Sequence, residues 1–155
     1  MKPAGNDLVH SFTVRPFPRR KTEVRVLVYP SRARMLAAAR RRGIEIGNPV
    51  AFVTGKGRRK PRACDLCICL GWLDLATLSH ESVHAAMRWI DAYYGESWLV
   101  QNENFDVEEV AAEVQGRILT QVVFGLKKYG LLDRELAYTK RRTRHWSELR
   151  IVEAA

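Results

Sequence analysis

A chain of 155 residues carrying 26 Lys/Arg against 17 Asp/Glu, a net charge of +9, has room for one compact domain and a tail, not two full domains. An apolar fraction of 46% excludes wholesale disorder. No run approaches the roughly 18–20 apolar residues of a membrane span.

The segment MKPAGNDLVHSF lacks the apolar stretch of an export signal, and three cysteines make an odd set. Together they predict a reducing, cytoplasmic setting without a disulfide framework. The charge is unevenly spread. Residues 1–62 hold 16 Lys/Arg against 3 acids, residues 63–126 hold 2 against 10, and residues 127–155 hold 8 against 4. An acidic middle between basic flanks fits either a polyanion partner or an acidic functional centre.

Residues 1–22 contain Pro3, Pro16, Pro18 and the run Arg19-Arg20-Lys21, which predicts a flexible or extended basic arm. Glu23 to Tyr29 alternates and is rich in β-branched residues, so a strand ends at Pro30. Ser31 can cap a short helix from Arg32 to Arg42, stopped by Gly43. Val50–Thr54 is a second strand. Gly55 to Arg62 is a basic loop without the G-x-x-x-x-G-K-[ST] order of a P-loop. Cys64–Leu70 reads as a third strand, with Leu66, Ile68 and Leu70 on one face and Cys67 and Cys69 on the other. Cys64 then points away from the other two thiols, which favours buried reduced cysteines over a zinc knuckle.

Two long helices follow. Asp74 caps one from Leu75 to Tyr94, ended by Gly95. Asp106 is the expected cap of the next, from Val107 to Tyr129, ended by Gly130. Residues 131–155 form a basic tail.

The first long helix contains His80-Glu81-Ser82-Val83-His84, the H-E-x-x-H pattern. Positions i and i+4 share a helix face, so two imidazoles can converge on one metal ion. A carboxylate beside the first histidine can take a proton from water and deliver it to a leaving amine. Apolar neighbours (Leu75, Leu78, Val83, Ala85, Ala86, Met87) suggest a substantially buried helix, in which unpartnered polar groups would be costly. Catalytic zinc usually takes a third protein ligand. In the next helix, Val107, Ala111, Val114, Ile118 and Val122 make the core stripe, and Glu108 sits at its edge. Glu108 is therefore the expected third ligand. Glu109, spaced from Asp106 as a capping box, is the alternative. Both acids also suit the positive end of a helix dipole.

These motifs resemble the zincin metallopeptidases: a strand leading into a helix with His80-Glu81-Ser82-Val83-His84, then a helix opening Glu108-Glu109-Val110-Ala111. The chain is most similar to the minimal zincin-like proteins often encoded by bacteriophages, and also to the ImmA/IrrE-type and SprT-like groups. Residues 23–130 carry the likeness, between the arm (1–22) and the tail (131–155). The resemblance implies an α+β fold, a small twisted sheet packed on the two helices. It implies a Zn2+ ion on His80, His84 and Glu108, and Glu81 as general base. It also implies a protein or peptide substrate paired along the Cys64–Leu70 strand at the cleft edge. The residues after His84 lack the third histidine of metzincins. Tyr93, Tyr94, Tyr129 and Tyr138 are candidates for stabilising a transition state, and Trp98 is a candidate cleft residue. The expected function is zinc-dependent peptide hydrolysis. The other reading is a nucleic-acid-binding or protein-interaction module with a structural or vestigial metal site, its basic flanks gripping a polyanion.

Overall fold

The computed structural model describes residues 8–47, 49–55, 61–95, 98 and 105–132. It is an α+β fold built from β1 (His10–Val14), β2 (Glu23–Tyr29), α1 (Arg32–Arg41), β3 (Ala51–Thr54), β4 (Arg62–Cys69), α2 (Leu75–Tyr94) and α3 (Phe105–Lys128). A 3-10 turn, Leu70–Trp72, joins β4 to α2. The sheet order is β1-β2-β4-β3, with β2 and β4 parallel and both outer strands antiparallel to their neighbours.

Alternation assigns the two faces. Val24, Val26 and Val28 of β2 and Cys64, Leu66 and Ile68 of β4 meet α2 and α3 in the main core, with Leu78, Trp89, Ile90, Ile118 and Val122. Leu27 and Tyr29, with Cys67 and Cys69, turn the other way onto Met35, Ala38 and Ala39 of α1. The predicted opposition of Cys64 to Cys67 and Cys69 therefore holds, and all three are buried free thiols. Burial pushes the Cys64 and Cys67 thiols up to about 12, helped in each case by the nearby Asp65 charge.

Local signals fix the helix starts. Ser31 Oγ accepts from the Arg34 N–H at 3.3 Å, and Asp74 Oδ1 accepts from the Thr77 N–H at 2.6 Å. Gly95 ends α2 with φ +104°, a conformation that L side chains rarely adopt. Asp106, expected as the cap of this helix, falls within α3, which spans Phe105–Lys128.

The expected arm needs correction. Its residues 10–14 are a strand, and the following segment is tied to the helices. Arg15 N–H donates to Gln121 Oε1, and Gln121 Nε2 donates back to Arg15 O, both at 2.8 Å. Trp89 Nε1 donates to Thr22 O at 2.9 Å, while Phe17 packs on the Trp89 ring. The prolines stop residues 15–22 from continuing a ladder, yet do not prevent them from docking. Residues 133–155, the expected basic tail, lie outside the described residues. Among the described residues, no helix is long and apolar enough to cross a membrane.

Candidate active site

Helix α2 buries Leu78, Ser82, Ala85, Ala86, Trp89 and Ile90. That choice of face turns the intervening stripe outward, and His80 and His84 are exposed. The expectation of a buried motif is therefore corrected. Val83 and Met87, apolar neighbours that suggested burial, are themselves 48% and 39% exposed. Desolvation cost does not force a partner on the two imidazoles, so their geometry has to make the case.

It does so in part. His80 Nε2 and His84 Nε2 stand 3.2 Å apart, with the rings at 81° to each other. In the metal-free chain, one ring can donate its N–H to the other's lone pair. Two nitrogens at that separation, each about 2.05 Å from a shared zinc ion, would subtend roughly 100° at it, near the tetrahedral angle. The pair thus fits two positions of a zinc site. No third His, Cys, Asp or Glu among the described residues completes a three-donor group with them. Glu108 and Glu109 are both exposed on the first turns of α3, and the structure does not bring either into that group. His10 lies against Tyr129, 3.9 Å between ring centres with the rings tilted by 44°. His145 lies outside the described residues.

Glu81 lies on the rim of the same stripe and is half-buried. Burial pushes its carboxyl above the ordinary carboxylate range, against the pull of His84, His80 and a hydrogen bond from the Val53 backbone. A carboxylate with a raised pKa, within reach of two imidazoles, is the kind of group that general-base chemistry uses.

The bond to Val53 shows what faces the motif. A groove of about 480 Å³ runs between α2 and β3, lined by Ala51, Phe52 and Val53 of the strand, Glu81, His84 and Arg88 of the helix, and Ile46 and Pro49 of the preceding loop. The cleft-edge strand is therefore β3, not β4. β4 is interior, paired with β2 on one side and β3 on the other, and cannot accept an extended partner. β3 is the outer strand, with one edge unpaired by the sheet.

Arg88 is the groove residue that sequence reading missed. Its signal was available: it lies one turn beyond His84 and two beyond Glu81 on one helix face. Among the described residues, none of the tyrosines expected to stabilise a transition state lines the groove. Tyr93 stacks on Trp89 and Tyr94 on Trp98, while Tyr129 packs tilted against His10. Tyr138 is outside the described residues. Trp98 belongs to this aromatic cluster rather than to the cleft. The chain matches no family model, no curated protein sequence and no solved structure.

Proposed function

We propose that this protein is a zinc-dependent peptidase whose working groove lies between α2 and β3. The observation that carries the reading is the 3.2 Å approach of the His80 and His84 Nε2 atoms beside the half-buried Glu81. His80 and His84 would supply two nitrogen donors, a ligand type that suits zinc; Glu108, the expected oxygen donor, stands outside that pair among the described residues. Zinc in such a site acts as a Lewis acid and makes water a nucleophile near neutral pH.

The chain's own groups do the rest. The free edge of β3 offers backbone donors and acceptors to an extended peptide, which fixes the scissile bond against α2. Ile46 and Pro49 give side chains of the peptide an apolar wall. Glu81 takes the proton from the attacking water and passes it to the departing amine nitrogen. Three buried free thiols suit a reducing compartment such as the cytoplasm.

The test has two arms. Purified protein is analysed for bound zinc beside His84→Ala, and its hydrolysis of an unstructured protein is compared with Glu81→Gln. The reading expects about one zinc per chain, lost in His84→Ala, and hydrolysis lost in Glu81→Gln with zinc retained. Cleavage that survives in Glu81→Gln would reject the mechanism. Equal zinc content in His84→Ala would reject the site.

A further inference from the structure

The groove beside the motif holds a cation that the hydrolytic scheme does not use. Arg88 lines it together with Glu81 and His84, and its side chain is exposed. Successive turns of α2 bring these three residues to one face.

That face does not neutralise the guanidinium. Glu81 stands two turns away, and its carboxyl responds to His84, His80 and the Val53 backbone. Asp65, the buried acid of β4, is held by Arg25 and Arg42 at 2.6 Å each. Glu23 is paired with Arg15 at 3.0 Å, and Glu113 with Arg117 at 2.8 Å. Among the described residues Arg88 makes no ion pair. The counter-charge is therefore left for whatever enters the groove.

The walls indicate what enters. β3 offers a free sheet edge, and Ile46 and Pro49 add apolar surface, an arrangement that suits an extended chain. Among the described residues lining the groove, Arg88 is the lone Lys or Arg. A polyanion would need several cations to grip it. Spacing then gives a position. Arg88 follows His84 by four residues, about 6 Å along the helix axis. An extended peptide advances about 3.3 Å per residue, so the step equals about two residues, the interval that returns side chains to one face.

We propose that the groove takes a peptide bearing a carboxylate about two residues from the bond to be cut, seated against the Arg88 guanidinium. An Asp or Glu side chain and a free C-terminus both present two coplanar oxygens, which a guanidinium binds through parallel hydrogen bonds. This rests on the reading of the α2–β3 groove as a peptide site, and it makes Arg88 a specificity-determining residue.

Fluorescence anisotropy of labelled peptides of about eight residues, long enough to span the groove, tests it. The full chain carries Glu81→Gln, so that peptides bind without being cut. Peptides with a central Glu, Gln or Lys and an amidated end are compared with the Gln peptide ending in a free carboxylate. An exposed ion pair is worth up to about fivefold in affinity, so the Glu peptide should bind about that much more tightly than the Gln peptide. A gain for the free C-terminus in place of the central Glu would assign the carboxylate to the chain end. Either preference should vanish in Arg88→Ala, survive in Arg88→Lys and turn towards Lys in Arg88→Glu, with circular dichroism checking that each variant is folded. Mass spectrometry of peptides cut by the wild-type chain should place the cuts about two residues from the carboxylate.

Equal affinity for all four peptides, or a preference that persists in Arg88→Ala, overturns the proposal. With cleavage intact in the wild-type chain, either result leaves the peptidase reading standing. Arg88-dependent binding by a wild-type chain that cuts nothing would reject that reading alone. Absence of binding by every peptide would overturn both.

Discussion

Gly125 is where the N-terminal strand is seated on the helical layer, and replacing it by alanine tests that seating. A Cβ at this position would collide with Phe12 Cε2 and lie 2.8 Å from Cζ and 3.0 Å from Cδ2. Three ring atoms are too close, so the ring or the strand must move. Phe12 cannot swing freely, because Tyr129 and His10 flank its ring at 5.7 and 6.2 Å. Overpacking of this kind costs about 1–3 kcal/mol. Alanine in place of glycine inside a helix returns about 1 kcal/mol. The net expectation for Gly125→Ala is a destabilisation between about 0 and 2 kcal/mol. The sign should change in a Phe12→Ala background, where only the helix-propensity term remains and the same substitution stabilises by about 1 kcal/mol. A double-mutant cycle by urea denaturation, followed through tryptophan fluorescence, should therefore give a coupling of roughly 1–3 kcal/mol. If Gly125→Ala stabilised both backgrounds equally, Phe12 would not occupy the notch, and the packing of β1 on α3 would be wrong.

Four more outcomes follow from the site and the core. Zinc at a hundredfold excess over its dissociation constant should raise stability by about 2.7 kcal/mol, measured as a thermal shift that EDTA reverses and that His84→Ala lacks. Thiols held near 12 should react with Ellman's reagent about 10³-fold more slowly at pH 8 than an ordinary cysteine. The unfolded chain releases those protons near pH 8.5 and the folded one near 12, so stability should be level below pH 8 and fall between about pH 9 and 12. A flat alkaline profile would contradict the burial of Cys64 and Cys67. Arg88 lines the groove beside Glu81 and His84. Arg88→Glu should therefore shift cleavage from acidic peptides towards basic ones through KM, read by comparing Glu- and Lys-substituted substrates.

The helices were legible because their ends carry their own chemistry: Ser31, Asp74 and Gly95 act within one turn of where they sit. The alternating strands were legible for the same local reason. Orientation was not. Helix α2 carries apolar residues on both faces, Leu78 and Ile90 inside, Leu75 and Val83 outside, and only the sheet and α3 decide which face is covered. Strand order was likewise hidden, although β4 held a clue. Seven of its eight residues are buried, including Asp65, the mark of a strand enclosed on both faces. That run should have argued against placing β4 at a cleft edge. β1 was lost among prolines, its alternation too short to stand out in five residues. The chemistry of His80, Glu81 and His84 was readable because i, i+4 spacing is local, whereas Val53 and Arg88 became neighbours of the motif only through the fold.

Because β1 closes one side of the sheet, trimming the chain to residue 23 would do more than shorten it. The main-chain amides and carbonyls of β2 would lose their partners along a row whose Val24, Val26 and Val28 have no contact with solvent in the intact fold. A strand of that composition, stripped of its cover, is a template for a second molecule. Such a shortened protein should come off a sizing column as oligomers, and the short strand ahead of Pro16 is what keeps the molecule to itself.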